Sequence, residues 1–378
     1  MLTNSPTQQR FLHYCVHRSM KLSIYSIFLI LSCFNISRCI SQRISSIFSF
    51  GDSLADTGNL ITYSSFAQAT TGRLPYGITF GHPTGRCSDG RLIIDFIAER
   101  FGLPSLPPYL SGNQTFDKGA NFAVSGATAL DSSFFKQRGL NSSNSNASLS
   151  SELEWFKELK PSLCKTTQEC KDYFSKSLFV VGEVGVNDYM IQLSAGRSLE
   201  EVKLCVPTLI KAISSATERL IEQGATELLV AGIHPFGCSP YFLTMEIGAK
   251  KEDYDPRTGC LKNLNNLAKY QNALLRKALL LLQNKYKETR IAYADYYGAI
   301  IRLAHSPKHF GFSNGALKAC CGKDGPYNFN LTAFCTLPGS KACKDPSTYV
   351  NWDGIHLTEA AYRQVAIGLF RGPLVHLY

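Results

Sequence analysis

A single three-layer α/β domain, with a five-stranded parallel sheet between helices, is predicted by three features of the sequence. Five short apolar runs rich in β-branched and aromatic residues recur along the chain, stretches with apolar residues at helical spacing separate them, and no internal repeat or linker divides the whole. Strands that alternate with helices connect through right-handed crossovers, which puts helices on both faces of a parallel sheet. The 378 residues are enough to bury a substantial core. With 44% hydrophobic and 18% charged residues, a disordered chain is excluded.

The first strand runs through Ile47, Phe48 and Phe50 and breaks at Gly51 into Asp52, Ser53, Asp56 and Asn59. Gly51 permits a close turn that leaves Ser53 at the strand's carboxyl end, where ligands gather in open parallel sheets. Asp52 is expected to hold this turn through nearby backbone groups, and Asp56 to cap the next helix. Residues 60–90, rich in Gly, Pro and Thr, read as a long irregular loop. Leu92, Ile93, Phe96, Ile97 and Phe101 come next at helical spacing, and residues 119–124 form a short strand ending near Ser125 and Gly126. An exposed loop over 131–150 leads into a helix around 152–159. The third strand, 177–181, runs into Gly185-Val186-Asn187-Asp188. Residues 199–222 read as one long helix with Val202, Val206, Leu209, Ile210 and Ile213 on its buried stripe. Residues 227–233 give the fourth strand, 264–286 a helix, and 290–296 the fifth strand. A Cys-, Gly- and Pro-containing excursion over 305–350 precedes a closing helix at 358–370.

The formal charge of +10 does not mark a nucleic-acid partner. Residues 1–43 hold five of the 39 basic residues and no acidic ones, which leaves 34 against 29, or +5, for the remainder. Within that leader, residues 22–34 form an apolar run after Lys21, the layout of a secretory signal peptide and too short to span a bilayer. Met20 is an alternative start. The domain is therefore expected over 44–378, without a transmembrane anchor and in the apoplast, with the vacuole as the alternative. Of thirteen cysteines, Cys15, Cys33 and Cys39 lie in the leader, and the other ten are expected to be largely disulfides. Cys164 with Cys170 and Cys238 with Cys260 suit small loops, while Cys320, Cys321, Cys335 and Cys343 form a cluster of open connectivity. That cluster lacks the paired C-x-x-C knuckles of a zinc site, so no metal is expected. Asn113, Asn141, Asn146 and Asn330 are glycosylation sequons.

A serine hydroxyl attacks an ester only with a base in hydrogen-bond reach and a third group to orient that base. Ser53, His356 and Asp353 have the residue types for those roles, and the i, i+3 spacing of Asp353 and His356 can put both on one side of a turn. The runs 48–59, Asn121-Phe122-Ala123-Val124-Ser125-Gly126-Ala127, Gly185-Val186-Asn187-Asp188 and Asp353-x-x-His356 together resemble the four blocks of the plant GDSL esterase/lipase family, which belongs to the SGNH hydrolases. The blocks come in the family's order and span 48 to 356. Residues 83–91 and 126–130 are most similar to the subgroup of acetylajmalan esterase and sinapine esterase.

The resemblance implies a flavodoxin-like sheet, a catalytic Ser53, His356 and Asp353, and an oxyanion hole from the N–H groups of Ser53 and Gly126 with the side-chain amide of Asn187. It implies no cofactor. The expected activity is hydrolysis of acetyl or hydroxycinnamoyl esters of small plant metabolites through an acyl-enzyme on Ser53. Small-molecule or carbohydrate-linked esters are the expected partners, and the oligomeric state is open. An acyltransferase, a xylan deacetylase and a non-catalytic extracellular binding module are the alternatives. Two departures from the family pattern bear on the acyl pocket: the run 77–85 is about one residue short, and Val186 stands where glycine is common.

Other chemistries find less support. Gly51-x-Ser53-x ends in Ala55, so the G-x-S-x-G elbow is absent. Gly85–Gly90 lacks the G-K-[ST] ending of a phosphate loop, and there is no H-E-x-x-H. A glycosidase pair of Asp52 and Asp56 would leave His356 without a role. His234, next to no acid or nucleophile in sequence, reads as structural, as do His82, His305, His309 and His376.

Overall fold

Strands covered on both faces need an apolar or hydrogen-bonded side chain at every position. β1 (Ser46–Phe50) meets that demand, being buried throughout, with Ser46 Oγ 2.7 Å from Ser177 Oγ. The computed structural model describes residues 44–62, 64–112, 114–141, 146–246, 248–372 and 374–377. The leader over 1–43 and Asn113 lie outside them. The described fold falls within one compact unit, Ser46–Tyr378.

The remaining strands are β2 (Gly119–Asn121), β3 (Ser177–Val181), β4 (Glu227–Ala231), β5 (Arg290–Ala294), the small pair β6 (Cys321–Gly322) and β7 (Lys341–Ala342), and β8 (Val375–Leu377). The main sheet runs β2-β1-β3-β4-β5-β8, parallel except for β8, which pairs antiparallel with β5. Chain order reverses around β1, with β2 on one side and β3 on the other, so the loop after β1 leaves the sheet at its switch point. Seven helices matter for the site and its surroundings: α1 (Ile93–Arg100), α2 (Leu149–Leu163), α3 (Val186–Ser194), α4 (Val206–Glu222), α5 (Lys262–Lys285), α6 (Tyr296–His305) and α7 (Glu359–Arg371). α4 packs on α2 and α5, and α7 on α1 and α6, giving a helical layer on each side of the sheet. Phe48, Phe50, Phe122, Phe156, Phe174 and Phe179 interlock beneath α2 at ring separations of 5 to 6 Å, as in the stacked Phe50–Phe122 pair at 5.1 Å.

The α/β architecture with a mostly parallel sheet is the one expected. Three details differ. The sheet gains the edge strand β8, three residues too short to carry a periodic signal. The helix read over 199–222 is two, Leu199–Lys203 and α4. Pro207 explains the break, because its ring conflicts with the carbonyl of Lys203 and it has no N–H to give. The strand read over 119–124 leaves the regular ladder at Asn121, after which Phe122 N and Val124 N donate to Ser49 O and Gly51 O, so the segment still tracks β1.

Candidate active site

The turn after β1 is built from backbone hydrogen bonds around Ser53. Gly51 has φ +144°, and a Cβ there would lie 3.0 Å from Glu183 O, so both conformation and space call for glycine. Its N–H donates to Glu152 Oε2 at 2.8 Å. Ala55 N and Asp56 N donate to Asp52 O, and Leu54 N to Asp52 Oδ1. Asp56 accepts from Gly58 N, Asn59 N and Leu60 N, and also from Ser125 N at 2.8 Å, which ties the Ser125–Gly126 turn to the elbow.

From the other end of the chain, the loop before α7 brings in an acid and an imidazole. Asp353 Oδ1 accepts from Ile355 N and His356 N, which closes a turn in which both side chains share a side. His356 Nδ1 lies 2.7 Å from Asp353 Oδ2, and Nε2 lies 2.8 Å from Ser53 Oγ. With the ring proton on Nδ1, facing the carboxylate, Nε2 is free to accept from the serine hydroxyl. Ser53 keeps 7% of its surface exposed, enough for a substrate to reach a hydroxyl that is otherwise buried. Two clamps fix the loop. Cys321 N donates to Trp352 O at 2.6 Å and Cys320 N to Asn351 O, joining it to the disulfide-tied excursion, while Tyr76 OH donates to Asp353 Oδ2 at 2.6 Å.

Electrostatics separates the carboxyl groups here. Burial alone would raise the pKa of Asp353, but the His356 charge and the hydrogen bonds from His356 and Tyr76 hold it at about 2. Burial opposes the His356 imidazolium, yet the Asp353 carboxylate outweighs it and raises the histidine well above its ordinary value. Asp52 is pushed well up by burial and by the Glu183 charge, Glu152 well up by burial, and Asp188 by burial to about 7.

The three expected oxyanion donors are placed differently. Among the described residues, the N–H groups of Ser53 and Gly126 donate to no protein acceptor, while those of Leu54, Ser125 and Ala127 on either side do. Gly126 holds φ +83°, a conformation that suits glycine. Asn187, in the first turn of α3, gives its side-chain amide to Ala127 O at 2.9 Å and to Asp52 Oδ2 at 3.2 Å. Both of its N–H bonds are thus engaged, and the longer one must be released for it to reach a substrate oxygen. Asp188 beside it accepts from Ala129 N and Leu130 N and so fixes the far end of the Gly126 loop.

Several neighbours carry no mark of the site in the sequence. Tyr76 and Glu152 reach it across 277 and 101 residues, and nothing local distinguishes them. His234 is buried and, contrary to its isolation in sequence, pairs through Nδ1 with Glu183 Oε2 at 2.9 Å behind the elbow. Cys87, a buried free thiol, lies 3.3 Å from Ser125 Oγ and also contacts His356. The other pairings are Cys164–Cys170, Cys238–Cys260, Cys320–Cys343 and Cys321–Cys335, so no thiol of the four-cysteine cluster is left for a metal. Asn141 and Asn146 are exposed, and Asn330 is half-buried with its Oδ1 accepting from Thr332.

Comparison with known proteins settles the family. The model of the GDSL-like Lipase/Acylhydrolase family matches residues 47–369. The chain belongs to that family. This GDSL-family chain is 52% identical over 335 residues to one GDSL esterase/lipase of Arabidopsis thaliana, covering 86% of the chain and 90% of the relative. A second Arabidopsis thaliana GDSL esterase/lipase is 47% identical over 359 residues, covering 93% and 92%. Among solved structures it is similar to phospholipase A1 from Streptomyces albidoflavus NA297, at 12% identity and a TM-score of 0.36, over 86% of this chain and 98% of that one. As a GDSL-family member the protein is a carboxylic ester hydrolase. Among the described residues, no helix is long and apolar enough to cross a membrane.

Proposed function

We propose that this GDSL hydrolase cleaves acetyl or hydroxycinnamoyl esters of small plant metabolites through an acyl-enzyme on Ser53. One observation carries the reading: the continuous line Ser53 Oγ, His356, Asp353 at 2.8 and 2.7 Å, together with the backbone N–H groups of Ser53 and Gly126, which among the described residues donate to no protein acceptor. His356 takes the Ser53 proton as the hydroxyl oxygen bonds to the ester carbonyl carbon, and Asp353 stabilises the resulting imidazolium. The N–H groups of Ser53 and Gly126 receive the negative carbonyl oxygen, and Asn187 joins them on releasing Asp52. Collapse of the intermediate breaks the ester C–O bond, with the His356 proton passing to the leaving alcohol. Water, deprotonated by His356, then adds to the acyl carbon; the bond to Ser53 Oγ breaks, His356 returns the proton to that oxygen, and the acid leaves.

The acyl preference rests on the similarity of residues 83–91 and 126–130 to acetylajmalan and sinapine esterases. Residues 1–43 are read as a secretory leader directing the protein to the apoplast or vacuole, with glycosylation at the four sequons. The four disulfides support that route. Ser53→Ala should lower turnover of a chromogenic acetate by about 10³-fold or more, and an organophosphate should label Ser53 alone. Full activity in the variant would sink the acyl-enzyme. Acetyl, sinapoyl and palmitoyl esters assayed together test the substrate class, and a palmitoyl preference would overturn it.

A further inference from the structure

Away from Ser53, a groove of about 720 Å³ opens where three elements meet: the turn 255–260, the first turns of α5, and the C-terminal half of α6 with the short 3₁₀ turn Pro307–Phe310. Arg257, Lys262, Lys269 and Arg302 line it; among the described lining residues Asp255 is the one acid, and it pairs with Arg257 Nε at 3.7 Å. That is a net +3 in one groove, against +5 for all residues beyond the leader. The walls are fixed. The disulfide Cys238–Cys260 ties the turn to the segment after β4, and buried Asn265 accepts from Gly237 N. Arg302 is anchored through Ala299 O and Gln364 O and lies over the Phe310 ring at 5.4 Å.

The cations are spaced, not clustered. Lys262 and Lys269 are seven residues apart on one helix, two turns along the same face and about 10 Å along its axis. Such spacing fits anionic groups repeated along an extended ligand better than one compact anion. Tyr297 lines the same groove, with Lys269 Nζ 5.7 Å from its ring, and Phe310 adds a second aromatic surface. Burial, with Asp255 and Asp295 nearby, raises Tyr297 to about 12, so its hydroxyl stays a neutral donor at neutral pH. Rings that offer apolar faces, together with ammonium and guanidinium groups and a phenol, suit sugar rings that carry carboxylates.

We propose that this groove is a binding site for an acidic oligosaccharide, its carboxylates on Lys262, Lys269 and Arg257 and its rings against Tyr297 and Phe310. The site is separate from the reacting groups and does not depend on the acyl-enzyme reading. Titration calorimetry of the full chain with tetragalacturonate tests it. The expected result is saturable binding that weakens with salt and falls at least tenfold in Lys262→Glu/Lys269→Glu, a variant whose chromogenic-acetate turnover stays at the parent level. Absence of tetragalacturonate binding, equal binding of uncharged cellotetraose, or undiminished binding in the double variant would each overturn the proposal. So would tighter binding of inorganic phosphate than of tetragalacturonate, which would assign the groove to phosphoryl groups.

Discussion

Buried carboxyl groups flank Ser53 on two sides, and the two sides behave in opposite ways. Behind the elbow, Asp52, Glu152 and Asp188 accept mainly from N–H groups, and burial raises all three. On the far side, Asp353 is equally buried but lies against an imidazole and a phenol, and it is held at about 2. The difference teaches that burial by itself pushes a carboxyl group toward its neutral form, and that a cationic partner holds one as an anion. The first kind can hold backbone in place; only the second can stabilise a proton on His356.

The widest test of this contrast is to make the same change on both sides. Asp353→Asn should lower kcat by about 10⁴-fold, since the amide neither holds the needed tautomer nor offsets the imidazolium charge. Glu152→Gln keeps an acceptor for Gly51 N and, with burial already pushing the native carboxyl toward its neutral form, should cost less than about tenfold. Steady-state kinetics on both variants decide it, and similar losses would break the contrast.

Tyr76 sharpens the far side. Tyr76→Phe removes one hydrogen bond to an ionised acceptor, with an expected loss of about tenfold in kcat and little change in KM. The wild-type acid limb of kcat/KM should lie above the ordinary histidine value of about 6.5, because only neutral His356 accepts the serine proton. Without the phenol, Asp353 holds the imidazolium more tightly and that limb should move to higher pH. A limb that stays fixed would make Tyr76 a packing residue against Trp352, whose ring lies 5.8 Å away.

The smallest expected effect is on stability. Asp188 is raised to about 7, so its contribution is complete below the unfolded carboxylate value near 4 and is lost as pH rises through about 7. Asp353 contributes in the opposite sense, fully above about 4 and lost as pH falls through about 2. Of these two, only Asp188 changes between pH 5 and 8, in the same direction as the raised Asp52, Glu152 and His356, and Tm should fall by a few degrees. Asp188→Asn should flatten that slope, and a wild-type Tm that rises toward pH 8 would contradict the assignment.

How far the sequence can be read obeys the same division. β1 and its glycine break, the third to fifth strands and the closing helix all announce themselves through local pattern, and so do Asp353 and His356 at i, i+3. Tyr76, Glu152 and Glu183 do not, because their importance lies in what they touch after folding. Tyr76 sits in a Gly- and Pro-rich loop with no period, and Glu152 in the first turn of α2 reads as an ordinary helix-start acid. Pro207 is a visible breaker overshadowed by the strong apolar stripe of α4, whereas β8 depends on pairing with β5.

The hydroxyl and the imidazole are joined across 303 positions of chain. On the proposed mechanism, a ribosome that has completed β1 to β4 has made the attacking hydroxyl but not the imidazole that takes its proton. If Ser53 and His356 act as proposed, competence toward esters waits on the C-terminal loop, and a folding intermediate that lacks it would be chemically silent toward the acyl groups around it.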